Sequence, residues 1–234
     1  MEYIVQLIAQ FLAVMLVICF HEFSHAYAAY KCGDPTAKFM GRMTMNPAKH
    51  FDPLGIIMFT VVGFGWAKPV PINPNNFRNY KKGSLWTASA GVIANYLMAF
   101  AVYPILALVW LYLLPVVKGT YAFYFLGSLF GGIVVYSLSF CVFNLLPVFP
   151  LDGFRIIEAT VPHYNKFYLF LRRYGYYILL GLLLVHLLNV NTRLTVIDPL
   201  GYVLSFAREI LSKPITIYWN WIFELFGVTV PPIL

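Results

Sequence analysis

Long apolar stretches, separated by short polar connections that collect the lysines and arginines, set the pattern of this chain. The runs predict membrane-crossing helices near residues 4–30, 86–115, 121–149, 174–191 and 196–212, since a helix needs roughly 17–25 apolar residues to cross the hydrocarbon. The stretch from Leu54 to Trp66 is different. Gly63 and Gly65 interrupt it, and Pro69, Pro71 and Pro74 follow. As a helix it rises only about 20 Å against a core of about 30 Å, which predicts a re-entrant or interfacial segment shielded by protein. The Gly, Pro and Asn texture of residues 41–75 points to strands and turns around it. Ile215 to Val230 mixes Tyr218, Trp219 and Trp221 with Asn220 and Glu224, which reads as an interfacial stretch. The expected architecture is therefore an all-α polytopic membrane protein. It has a three-helix core within residues 1–153, a small re-entrant β-rich insert, and two or three further membrane helices within 154–234, with no separate soluble domain.

Composition supports lipid as the main solvent. Hydrophobic residues are 61% of the 234 positions and charged residues 11%, against about 25% charged in an average soluble domain. The net charge of +7 would suggest nucleic acid if it formed one patch, but it is spread over connections. With the N-terminus outside and 54–66 not crossing, every Lys and Arg except Lys118 and Arg193 falls on the inner side. That is a topology signal, and nucleic acid is not an expected partner. The N-terminal Met1-Glu2-Tyr3 lacks a basic n-region, so the first run is expected to be a retained span. Cys19, Cys32 and Cys141 form no Cys-x-x-Cys pair and read as small packing residues.

The candidate chemistry lies in the first predicted span, at His21-Glu22-Phe23-Ser24-His25. Positions four apart share one helix face, so His21 and His25 can hold one metal ion. Glu22 projects from the neighbouring face, where it can act as general base on an attacking water without being a ligand. Core hydrogen bonding could in principle account for such a trio. Within lipid, however, each ionisable group in mid-span costs about 2.5–3.5 kcal/mol on insertion scales, so three together demand a partner or a function. Catalytic zinc takes three protein ligands and leaves one position open. Asp34, His50, Asp52, Asp152 and Glu158 share the inner side with the motif. Asp152 stands out because Pro147 and Pro150 break the third span just before it. A turn-forming Asp-Gly pair accounts for Asp152-Gly153 equally well at this level.

Five blocks in order carry a resemblance. They are His21-Glu22-x-x-His25, Gly41-Arg42-Met43-Thr44-Met45-Asn46-Pro47, Gly65-Trp66-Ala67-Lys68-Pro69-Val70-Pro71, Ala90-Gly91-Val92-Ile93-Ala94-Asn95 and Asn144-x-x-Pro147-x-x-Pro150-x-Asp152-Gly153. Together they span residues 21 to 153, and the chain resembles the site-2 protease family of intramembrane zinc metalloproteases, in the short bacterial form without a PDZ domain. Val92 stands where the family's Ala-Gly block usually continues with Pro. The resemblance implies a single zinc ion held by His21, His25 and Asp152, with Glu22 as general base. It also implies Asn144 near the metal, contacting substrate or the oxyanion, and strands between the first two spans that dip into the membrane. Asn95 is a further candidate for lining the site, with a span-to-span hydrogen bond as the competing account. The implied activity is zinc metalloendopeptidase cleavage of a transmembrane helix of another protein. It would act from the cytoplasmic side of a bacterial inner membrane, as in regulated intramembrane proteolysis.

A channel or transporter that uses the His/Glu cluster as a proton or metal relay is the main alternative. Against it, the sequence shows neither an internal repeat nor paired broken helices in matching halves. Haem ligation is excluded for His21 and His25, because two residues on one helix face cannot approach a porphyrin from opposite sides.

Overall fold

The computed structural model describes residues 1–55, 67–192 and 197–230, without the side chains of 191 and 192. Helix α1 (Glu2–Cys32) buries Ala9, Ala13, Val17, His21, His25 and Ala29. These fall at intervals of four, so they form one ridge on one face, and the two histidines continue a line of small packing residues. Gly33 ends the helix at φ 113, a left-handed conformation that a Cβ would strain. Its N–H meets the Tyr30 carbonyl at 3.1 Å and the Asp34 N–H meets Ala29 at 2.9 Å, so both trailing carbonyls are satisfied.

Helix α2 (Tyr80–Leu108) starts at Asn79, whose side chain accepts from the Lys82 N–H at 2.9 Å. It continues past Pro104 into a π-helical turn at Val109–Leu113, a widening that often accompanies a perturbed hydrogen-bond ladder. Helix α3 (Tyr121–Leu145) stops just before Pro147. Helices α1, α2 and α3 pack mutually, and the α1 face at Ala13 and Val17 meets Ile133 of α3. Small residues permit this close approach where lipid removes any hydrophobic drive between helices. A short helix, α4 (Asp152–Thr160), then turns back against α2.

Helix α5 (Lys166–Thr192) and helix α6 (Pro199–Leu225) complete the chain. Among the described residues, four helical stretches are long and apolar enough to cross a membrane: α1, α2 with its π-turn, α3 and most of α5. The protein is a multi-pass integral membrane protein. The membrane span expected at 196–212 and the interfacial stretch expected at 215–230 fall in one helix, α6, which runs through Pro214 and is not among those four. Pro214 lacks a donor and crowds the preceding turn, a local cost to the helix. Burial overrides that local signal. Ile215 is fully buried with Tyr103 and Leu138, the Trp219 indole N–H donates to the Phe100 carbonyl at 2.8 Å, and the Tyr103 hydroxyl donates to Asn220.

The β-rich insert expected between α1 and α2 is a second correction. Among the described residues it contains no strand. It has a helical turn at Thr36–Phe39, 3-10 turns at Pro47–Lys49 and Pro74–Asn76, and a lone antiparallel bridge between Phe51 and Ala67. Pro47, Pro69, Pro71 and Pro74 remove the donors that a ladder would need. The re-entrant segment expected at 54–66 lies, beyond Gly55, outside the described residues.

Candidate metal centre

Three ligand atoms converge at the buried end of the α1 ridge. His21 Nε2 and His25 Nε2 are 3.0 Å apart, and Asp152 Oδ2 lies 3.2 Å from the first and 3.0 Å from the second. The residues are only 5%, 4% and 6% exposed. Their placement follows from local structure: one turn of α1 stacks the imidazoles, and Asp152 is the first residue of α4. The helix N-terminus there favours its negative charge.

The second nitrogen of each ring decides what the first can do. His25 Nδ1 sits 2.7 Å from the Thr87 carbonyl. A carbonyl only accepts, so Nδ1 carries the proton and Nε2 of the neutral ring presents a lone pair. His21 Nδ1 lies 3.1 Å from Nδ2 of the fully buried Asn95 amide, whose Oδ1 has no partner. With the amide turned so that Oδ1 accepts from Nδ1–H, both buried groups are satisfied and His21 Nε2 is also left with its lone pair. Two nitrogen lone pairs and a carboxylate oxygen then face one another, an arrangement favourable around a cation. Ligand atoms on a tetrahedral zinc at about 2.0–2.1 Å lie about 3.3–3.4 Å apart, close to the edges observed here. The donor set therefore fits zinc.

Gly91 of α2 closes one side of this triangle. A Cβ at that position would overlap Nε2 of His25 and the ring of His21, so only glycine lets α2 lie against the imidazoles. Glu22 is half-buried and stands outside the triangle, with its Oε2 accepting from the Val70 N–H at 2.9 Å. The chain around Val70 is held from several directions. Arg42 donates to the Lys68 carbonyl at 2.7 Å and to Pro69, and the Lys68 N–H reaches the His50 carbonyl at 2.9 Å. Fully buried Asp34 accepts from Asn73 N–H at 2.7 Å, from the Asn76 amide at 2.8 Å, and from the hydroxyl and N–H of Thr36. Burial pushes the Asp34 carboxyl up, but these donors outweigh it and hold Asp34 below the usual carboxylate range.

The other candidates for third ligand are committed elsewhere. Asp34 clasps the loop, and Asp52 accepts from the N–H groups of Leu54 and Gly55. His50 Nε2 meets the Thr44 carbonyl at 2.7 Å, and Glu158 accepts from the Tyr168 hydroxyl at 2.8 Å. Asn95 contacts the centre directly, whereas the Asn144 amide donates to Phe140 one turn back on its own helix, at 3.1 Å. Sequence reasoning missed Thr87, and it named Val70 without a role, because both act through backbone atoms and leave no residue-type signal. It quoted Gly91 only as part of a block.

Residues 112–187 match the family model described as Peptidase family M50. "Putative zinc metalloprotease YwhC" of Bacillus subtilis (strain 168) is 41% identical over 154 residues, which are 65% of this chain and 69% of that protein. "Putative zinc metalloprotease Rip2" of Mycolicibacterium smegmatis is 25% identical over 181 residues, 75% of this chain and 66% of that protein. No solved structure matches.

Proposed function

Because the chain belongs to peptidase family M50, the site-2 protease family, we propose that it is a zinc endopeptidase that cuts peptide bonds within transmembrane segments of other membrane proteins. The observation that carries this reading is the convergence of His21, His25 and Asp152 through three lone-pair atoms, with Glu22, next to His21 in the chain, outside the triangle and bonded to the Val70 N–H. These three residues would hold one zinc ion, which supplies Lewis acidity to the scissile carbonyl and to the attacking water. Glu22 takes the proton of that water on a carboxylate oxygen and passes it to the leaving amide nitrogen. The Val70 N–H fixes the Glu22 side chain for this exchange. Thr87 and Asn95 hold the two imidazoles in the tautomer that leaves Nε2 free. Asn144, at the end of α3, is the proposed polar contact to substrate.

A helical substrate hides its carbonyls in internal hydrogen bonds, so it must unwind locally before attack. In this reading residues 1–153 are the catalytic core and 154–234 are accessory membrane helices. The distribution of Lys and Arg supports an active site on the cytoplasmic face of the bacterial inner membrane. The test is metal analysis of the purified protein together with proteomics of membrane fragments in cells carrying the parent or Glu22→Gln. The expected result is stoichiometric zinc in both and fragments only with the parent. Fragments that persist unchanged with Glu22→Gln would overturn the assignment.

A further inference from the structure

A cavity of about 360 Å³ opens between the segment from Val70 to Phe77, the first turns of α2 and the start of α4. Its volume lies in the range of about 300–1,000 Å³ that small ligands occupy. Neither Glu22 nor any of the three candidate metal ligands lines it, so its occupant is a question apart from the reaction. Its depth follows from the spans. Helix α2 begins at Tyr80 and α3 ends at Leu145, and both are long and apolar enough to cross a membrane. The walls at Tyr80, Ser84, Phe149 and Phe154 therefore stand at the layer of lipid headgroups. Exposed Tyr80 and Trp86 fit that depth, where aromatic side chains collect.

The wall carries one open cation. Arg155 is half-buried and forms no hydrogen bond, ion pair or ring contact among the described residues. Arg42 and Arg172, by contrast, are engaged, the first with the Lys68 carbonyl and the second with the Tyr168 hydroxyl at 2.9 Å. Glu158 also lines the cavity, one turn further along α4. Its carboxylate accepts from the Tyr168 hydroxyl at 2.8 Å, and Arg172 bears on that same hydroxyl, so a second cation offsets its charge. Exposed Lys81 and Lys82 follow Tyr80 in the chain and add to the positive side. Most of the remaining wall is apolar, with Val70, Ile72, Phe77, Phe149 and Phe154.

We infer that this cavity holds an anionic phospholipid, with its phosphodiester on Arg155 and the glycerol end of its acyl chains against Phe77, Phe149 and Phe154. The inference goes beyond the protease reading and does not depend on it. A guanidinium presents five donors in a planar fork that matches phosphate oxygens, and basic pockets at the ends of membrane helices suit lipid headgroups. A free phosphate would answer Arg155 and leave the aromatic wall without a partner. A zwitterionic lipid would fill the apolar wall but leave the excess positive charge uncompensated. An acidic side chain of a partner protein would have to be carried to this depth, whereas phospholipid already surrounds it. The bound lipid bridges α4, α2 and the Val70–Phe77 segment, so occupancy stabilises the folded protein.

The test is native mass spectrometry of the full chain, released from mixed micelles that contain equimolar dioleoyl-phosphatidylglycerol and dioleoyl-phosphatidylcholine. The parent should retain one phosphatidylglycerol in preference to phosphatidylcholine. Arg155→Gln should raise the apparent Kd for phosphatidylglycerol about 10–100-fold, the range for losing hydrogen bonds to a charged group. Arg155→Lys should lose less, because it keeps the charge without the fork. Lys118→Gln, at the opposite end of the spans, should bind as the parent does. Since Arg155 contacts nothing else among the described residues, Arg155→Gln should unfold at the parental temperature without lipid. Added phosphatidylglycerol should raise the Tm of the parent but not of Arg155→Gln. Equal retention of the two lipids, or parental retention by Arg155→Gln, would overturn the inference. Displacement of the lipid by millimolar inorganic phosphate would reassign the cavity to a soluble anion. Arg155-dependent binding of a soluble Asp-rich peptide in place of the lipid would reassign it to a partner protein.

Discussion

Asn95, fully buried in α2, lies 3.1 Å from Nδ1 of His21, 74 residues earlier in the chain. With the amide turned so that Oδ1 rather than Nδ2 faces the ring, Asn95 accepts from Nδ1–H and leaves His21 Nε2 unprotonated and aimed at Asp152. Asn95→Ala should weaken zinc binding about 10–100-fold, the usual penalty for losing the group that orients a ligating imidazole. Asn95→Asp should retain most of the affinity, since a carboxylate accepts but cannot donate. Competition titration with a chromogenic chelator separates the two variants. Equal loss in both would mean that Asn95 serves as a donor or only as a packing residue.

Glu22 and the three candidate ligands should separate cleanly in metal content. Glu22→Gln should keep zinc and abolish cleavage, because its Oε2 bonds to the Val70 N–H and lies outside the triangle. His25→Ala or Asp152→Ala should lower bound zinc as well as activity, since each removes one of three ligand atoms. Elemental analysis of the purified variants reads the difference. Full zinc occupancy in Asp152→Ala would remove Asp152 from the ligand set.

Gly91→Ala should damage the centre without altering any ligand. The added methyl would occupy space now filled by both imidazoles, and neither ring can retreat while Thr87 and Asn95 hold its far nitrogen. The helices must separate or the rings must leave their ligating geometry. Zinc affinity should fall at least tenfold, and overpacking should cost about 1–3 kcal/mol of stability. Chelator competition and thermal unfolding in detergent check the two effects separately.

How much of this was legible beforehand depends on where the information resides. The ridge bearing His21 and His25 followed from spacing, because a helix converts an interval of four into a shared face. Asp152 stood out because Pro147 and Pro150 had to end α3 near it. The continuous helix through Pro214 was not legible, since the burial of Ile215 and the anchoring of Trp219 are tertiary effects that no neighbouring residue announces. The insert misled in the opposite direction, with a turn-rich texture suggesting strands while its prolines removed the ladder donors. The roles of Thr87 and Val70 were invisible, since any residue type except proline at position 70 offers the same backbone atoms.

Asp34 ties the C-terminus of α1 to the segment that supports Glu22, and its contribution should depend on pH in a defined direction. The carboxylate accepts from Asn73, Asn76 and Thr36, which favours the charged form in the folded protein, so its pKa there lies below the unfolded value of about 3.9. A depressed carboxyl contributes stability above the unfolded pKa and loses it as pH falls through the folded one. Asp34→Asn should therefore unfold more easily than the parent at pH 5–8, by about 1.5–3 kcal/mol for weakened bonds to a charged acceptor. The gap should narrow below about pH 4, where the parent carboxyl also begins to protonate. Denaturant titrations in mild detergent at several pH values provide the comparison. Because Asn73 and Asn76 follow Val70 closely, the same variant should loosen Glu22 and lower kcat while zinc content stays at the parent level. A pH-independent stability gap would show that the Asp34 charge contributes nothing, leaving only the shape of its side chain.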